Sequence, residues 1–179
     1  MPALCLTRRR LSSDSARSIA TLWQGICHCP AILPTRKAAM LKHINPLLTG
    51  NLLAILADMG HGDELSIVDA NYPAVAHAQR LVQLPGASAT DALAAILELL
   101  PIDDFVDAPT AAMDAPDGRP ALYDAFDQLL LEAEGRAIDI ELIDRFDYYQ
   151  RTQNAFAVVA TGERRLYGNI ILKKGVVRA

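Results

Sequence analysis

From residue 40 onward, apolar positions recur first at the 3.6-residue spacing of helices and then in the short runs typical of strands. TGNLLAILADMG (49–60) sets Leu52, Leu53, Ile55, Leu56 and Met59 on one stripe, with Thr49 or Asn51 available as N-cap and Gly60 as terminator. ELSIVDA (64–70) reads as a strand with Asp69 at its C-terminal end and Pro73 closing the segment. SATDALAAILELLP (88–101) predicts a second helix, capped by Ser88 or Thr90 and stopped before Pro101. RPALYDAFDQLLLEAEG (119–135) predicts a third, ending at Gly135. In the last third, IDIELID (138–144), AFAVVAT (155–161) and NIILKKGV (169–176) read as strands, with one or two helical turns over FDYYQRTQN (146–154). Helices alternating with short strands predict a single α/β layered domain over 40–179, with a mostly parallel sheet flanked by helices.

Residues 1–39 lack such a period. They are Arg- and Ser-rich, interrupted by Pro30 and Pro34, and read as an N-terminal extension, either a transit-like segment or upstream sequence ahead of a true start at Met40. Charge divides the chain at the same point. The extension holds six basic residues and one acid, a net +5, whereas the rest holds 11 basic and 20 acidic residues, a net −9. A body this acidic is a poor match for a phosphate backbone, which excludes nucleic acid as the expected partner. Cys5, Cys27 and Cys29 all lie in the extension, so the body needs no oxidising compartment and the cytoplasm is the default location. CHC (27–29) without a second ligand cluster is a poor metal site.

The 179 residues suit one domain with a proper core. Purely apolar runs such as AFAVVA (155–160) fall far short of the ~20 residues a membrane helix needs. The body has no phosphate-binding glycine loop, dinucleotide fingerprint, nucleophile elbow, HExxH pair or cysteine. Any chemistry must therefore rest on proton transfer and hydrogen bonding, with no cofactor and no metal expected.

The polar residues that could do such work stand at element ends. GHGDE (60–64) places His61 between two glycines with Asp63 behind it; Asp69 ends the first strand, Arg145 follows IDIELID, and Tyr167-Gly168-Asn169 enters the last strand. In open α/β sheets, ligands gather beyond strand ends. An imidazole, carboxylates, a guanidinium, a phenol and an amide together suit a polyhydroxylated neutral molecule. A helix C-terminus and neighbouring carboxylates favour a protonated imidazole, and burial disfavours it. Each residue also has a plainer reading: His61 as a surface helix cap, Asp63 in an Asx turn, Asp69 as a loop cap, Arg145 as a surface ion-pair partner, and Tyr167 as a core residue with a wet hydroxyl. His77, in AVAHAQR, is expected to be exposed. A metal site built from His61, Asp63 and Asp69, as in a hydrolase, lacks a second suitably placed histidine.

Taken together, MLKHINPLL, LADMGHGDE, DANYPA and RFDYYQRTQNAFAVVATGERRLYGNIILKKGV (145–176) resemble the L-fucose mutarotase and D-ribose pyranase family, with the fucose branch nearer. The resemblance runs from Met40 to about Val177. It implies a cofactor-independent isomerase of monosaccharide anomers, with His61 as proton donor and Asp69, Arg145, Tyr167, Gly168 and Asn169 contacting the sugar. Asp63 would support His61, and Tyr149 would line the pocket. Asn71 stands where some members have His. The family implies a ring-forming homo-oligomer built of pentamers, often a decamer, with sites near subunit contacts. Pyranose–furanose interconversion of ribose and sugar binding without catalysis stand as alternatives.

Overall fold

The computed structural model describes residues 41–178, and everything expected of the N-terminal extension lies outside that range. Five helices and six strands follow in the order α1 (Gly50–Asp58), β1 (Glu64–Val68), α2 (Ala74–His77), β2 (Leu81–Leu84), α3 (Ala89–Leu97), β3 (Thr110–Met113), α4 (Leu122–Glu134), β4 (Ile140–Ile143), α5 (Arg145–Asn154), β5 (Ala157–Thr161) and β6 (Ile170–Lys173). The strands form one sheet in the order β2-β5-β1-β6-β3-β4. The β1–β5, β2–β5 and β3–β4 pairs are parallel, and only β6, inserted between β1 and β3, runs the other way. The α/β class and the mostly parallel sheet flanked by helices are thus as the sequence predicts.

The alternation of side chains along each strand distributes two apolar layers. Leu65 and Ile67 of β1, Ala157 and Val159 of β5, and Ile170 and Leu172 of β6 face the larger core, packed against α1, α3 and α4. Val68, Val158 and Ile171 face the smaller core around Tyr148. Ser66 points the same way, and its hydroxyl bonds to Tyr148 and Thr152 of α5, both at 3.1 Å. Burial pushes the Tyr148 phenol far up, so it stays neutral and serves as a structural hydroxyl.

Local rules set the helix ends. Thr49 caps α1 through Leu52 N–H, and Ser88 with Asp91 forms a reciprocal capping box on α3. The expected end of α1 at Gly60 moves back two residues. Lys174, beyond β6, reaches over and donates through Nζ to the Leu56 and Met59 carbonyls at 2.9 and 2.5 Å. Helical turns over 146–154 extend to ten residues because Asp144 caps Phe146 N–H and the Tyr148 and Thr152 face is buried.

Two strands and one helical turn escape the sequence pattern. TAAM (β3) is entirely buried between β6 and β4, where alanines let the layers on both faces approach closely; alanine has little strand propensity of its own. LVQL (β2) is a four-residue edge strand, and α2 is a single turn after Pro73.

Candidate active site

The parallel strands give the sheet two chemically different ends. At their C-terminal ends, Asp69 leaves β1 beside Asn169, which enters β6. The Asn169 side-chain oxygen accepts from the Asp69 backbone N–H at 2.8 Å, while its amide nitrogen donates to Asp69 Oδ2 at 3.0 Å. Asp69 Oδ1 accepts in turn from Asn71 N–H at 2.8 Å. Both side chains are buried, so this two-way clamp holds a carboxylate and an amide in fixed directions.

The turn into β6 is tight. Tyr167 lies in the left-handed region at φ +62°, which costs an ordinary residue roughly 1–2 kcal/mol. Asn169 N–H bonds to the Tyr167 carbonyl at 2.7 Å. Gly168 is dictated by close approach: a Cβ there would stand 2.5 Å from Glu163 Cγ and 3.2 Å from the Arg165 carbonyl oxygen. Glu163 is itself pinned. Arg165 grips its carboxylate, the α3 N-terminus donates from Ala89 N–H at 3.3 Å, and its pKa falls to about 2.

Across the cleft, Asp144 follows β4 and caps α5, whose first residue is Arg145. Arg145 lies over the Phe146 ring and, among the described residues, has no carboxylate within ion-pair distance. One helical turn on, Tyr149 meets Tyr72 edge-to-face at 5.1 Å. Tyr72 bonds through its hydroxyl to His77 Nδ1 at 2.9 Å, and the His77 ring also packs on Tyr149. His77 is therefore a half-buried wall support rather than the exposed residue expected. Asp69, Asn71, Tyr72, Met113, Arg145, Tyr149, Leu166, Tyr167 and Asn169 enclose a cleft of about 240 Å³. That is below the ~300–1,000 Å³ of sites for drug-sized ligands and suits one small polar ring.

His61 is not there. It precedes β1 whereas Asp69 follows it, and five strand residues at ~3.3 Å each set the two ends roughly 16 Å apart. Within one chain, the cleft shared by His61, Arg145 and Tyr167 does not form. Nor does His61 cap α1, a task Lys174 performs. Its Nε2 lies 3.2 Å from Asp103 Oδ1, its ring is 5.3 Å from that of Phe105, and its side chain is 47% exposed. The carboxylate behind the imidazole is Asp103, not Asp63. Asp63 closes a local turn by accepting Gly60 N–H at 2.7 Å, the Asx-type reading. Of the two glycines around His61, only Gly62 uses a left-handed backbone, at φ +85°, to bring its N–H to the Lys174 carbonyl at 2.9 Å. Glu64, the last residue of GHGDE, enters an ion network with Arg151 and Lys173. Burial opposes ionisation there, but the two cations hold its pKa below the usual value.

The sheet and the cleft beyond its strand ends define an α/β protein with a candidate small-molecule cleft at the carboxyl edge of the strands. The chain belongs to the RbsD / FucU transport protein family, whose model matches residues 42–177. It is 42% identical over 140 residues to the L-fucose mutarotase of Histophilus somni, covering 76% of this chain and 97% of that one. It is likewise 42% identical over 146 residues to the fucose mutarotase of Mus musculus, covering 76% and 95%. The crystal structure of the fucose mutarotase from Streptococcus pneumoniae in complex with L-fucose superposes with a TM-score of 0.72 at 40% identity, covering 77% of this chain and all of that one.

Proposed function

We propose that this chain is a cytoplasmic, cofactor-independent mutarotase that interconverts the α and β anomers of L-fucose or a closely related monosaccharide. The observation that carries the reading is the Arg145 guanidinium, without a counter-charge among the described residues, lining a cleft of sugar size together with the Asp69–Asn169 clamp. A fixed carboxylate, an amide and a guanidinium read a pattern of hydroxyl groups directionally, and Tyr72 and Tyr149 supply an apolar wall. The likeness to mutarotases, including one solved with L-fucose, supports the substrate class.

Anomer exchange requires the hemiacetal to open and reclose. A proton is delivered to the ring oxygen as the C1–O5 bond breaks, another leaves the anomeric hydroxyl as C1=O forms, and the aldehyde rotates before the ring closes on its other face. Positioned acid–base groups accelerate such steps by ~10²–10⁴-fold. In our reading His61 is the proton donor, Asp69, Arg145 and Asn169 hold the hydroxyls, and Tyr167 is the second proton-transfer group. Gly168 permits the turn that presents its neighbours, and Asp63 shapes the turn of His61.

Because His61 stands at the opposite end of the sheet, the active site is completed by a second copy. A contact joining the N-terminal edge of one copy to the C-terminal edge of the next is heterologous, and such contacts close into rings where the rotation between copies closes. Exposed apolar residues occur at both edges: Phe105 (66% exposed) beside His61, and Phe146 and Leu166 (68% and 69%) beside the cleft. They support self-association into a homo-oligomer, for which we propose a pentamer-based ring such as a decamer.

The experiment is saturation-transfer NMR on L-fucose, with ribose and galactose as comparators. The native protein accelerates fucose exchange, and His61→Ala lowers that acceleration by ~10²–10⁴-fold. Undiminished exchange in the variant would remove His61 from the mechanism.

A further inference from the structure

We infer that Glu163 is a positioning residue for sugar binding: it locks the exit of β1, which presents Asp69, to the turn that presents Tyr167, Gly168 and Asn169. The assignment rests on the mutarotase reading for what the held groups do. It adds what fixes the two halves of the cleft against each other.

Both peptide neighbours of Asp69 are held by one short segment. Thr161 Oγ1 donates to the Val68 carbonyl at 2.8 Å and accepts from Glu163 N–H at 3.3 Å, while the Glu163 carbonyl accepts from Ala70 N–H at 2.9 Å. The Glu163 side chain serves the other half. Its Oε1 accepts from Arg165 N–H, inside the turn, at 2.9 Å, and its Cγ is the surface on which Gly168 lies, with no room for a Cβ between them. Glu163 therefore touches the Asp69 side through its backbone and the Tyr167 side through its side chain. The segment is anchored from behind: Gly162 N–H bonds to the Ala87 carbonyl at 2.8 Å, and a Cβ at Gly162 would collide with the Pro85 carbonyl.

Every group that bonds to the carboxylate is a donor. Arg165 N–H and Nε meet Oε1, both at 2.9 Å, and Arg165 Nη2 and Ala89 N–H meet Oε2 at 2.6 and 3.3 Å. Four donors on two oxygens are satisfied only by an ionised carboxylate, which accepts at both. The same contacts, the Arg165 side chain foremost, hold its pKa at about 2, so the group is charged throughout the neutral range. A glutamine of equal length brings an NH₂ that must face donors at one of the two oxygen positions, and the side chain is pushed off that pair. With it move the turn at Gly168 and, through the shared residue, the exit of β1. Glu163 is buried and does not line the cleft, so it acts from behind the groups that do.

The test is fucose anomer-exchange kinetics on the full chain beside hydrogen–deuterium exchange read by mass spectrometry. A variant that is merely unfolded in part has fewer intact sites, so its apparent kcat falls while KM stays native. Glu163→Gln should instead raise KM by ~10-fold or more, because a misplacement of about 1 Å costs up to ~10²-fold. Its kcat falls as well, since Tyr167 rides on the same turn. Deuterium uptake should rise over 69–72 and 164–169 by more than it rises in β1 and β5, the mark of local opening rather than global unfolding. Arg165→Ala removes a half-exposed guanidinium and no core group, and should show the same pattern with a smaller rise in KM. A native KM in Glu163→Gln, or uptake that rises equally in all segments, overturns the assignment. Native KM and native uptake in Arg165→Ala do so where Glu163→Gln fails to fold. A native protein that leaves fucose exchange unaccelerated would sink the mutarotase reading, and the uptake pattern would still decide whether Glu163 holds the two segments.

Discussion

The two ends of the sheet are built on opposite plans. At the C-terminal end, polar side chains bond to one another: Asn169 to Asp69, Asp69 to Asn71 N–H, Tyr72 to His77, and Glu163 to Arg165. Their directions are set before anything binds, and the cleft's two charged groups, Asp69 and Arg145, have no counter-charge within ion-pair distance among the described residues. At the N-terminal end, a half-exposed imidazole stands on a glycine turn, held at one nitrogen by a covered carboxylate and flanked by an exposed phenylalanine. In the proposed function, one end recognises the sugar and the other moves a proton, and joining them between chains would tie activity to assembly.

The contrast can be broken most forcefully at Arg145. Losing a charged hydrogen-bond donor to bound hydroxyls costs about 1.5–3 kcal/mol, so Arg145→Ala should reduce kcat/KM for fucose roughly 10–100-fold. Its Tm should be unchanged, since the guanidinium has no ion-pair partner to lose among the described residues. A large drop in Tm with unaltered kcat/KM would return Arg145 to a structural role. Anomer-exchange kinetics beside a thermal melt give both numbers.

A smaller effect sharpens the comparison through pH. Arg165, with backbone N–H donors, draws the Glu163 carboxyl from its ordinary 4.5 to about 2. A depressed folded pKa contributes stability that is present above ~4.5 and is lost as pH falls toward ~2. Glu163→Gln should therefore be less stable at neutral pH, by about 1–3 kcal/mol, and lose less on acidification through that window. The Asp103 and Glu64 carboxyls, at the other end and also lowered, keep their share of the acid response. Thermal melts of both proteins between pH 6 and pH 2 measure the difference, and parallel curves would contradict it.

Much of this could be read from the sequence. Helices α1, α3 and α4, the GHGDE turn and four of the six strands follow from period, caps and breakers, because those signals are local. The C-terminal cleft was legible for a related reason: Asp69 and Arg145 each follow a predicted strand, and Tyr167-Gly168-Asn169 precedes one. The error over His61 lay in treating all element ends alike. His61 comes before β1 and Asp69 after it, so chain direction alone places them at opposite edges of the sheet. Asp103 was illegible because it reaches His61 only through the pairing of Ile102 with Lys174, a contact across more than seventy residues with no local trace. The alanines of β3 were silent for the same reason. Only the strands on either side make them a strand.

The central claim, that each working site draws on two copies of the chain, is tested most directly by complementation. His61→Ala and Arg145→Ala proteins, each impaired alone, are unfolded together, refolded as a mixture and assayed for fucose anomer exchange. With random mixing in a head-to-tail ring, about one quarter of sites pair an intact cleft with an intact His61 from the neighbouring copy, so activity returns to about a quarter of the native value. If one chain supplied both groups, the mixture would stay as inactive as its parents.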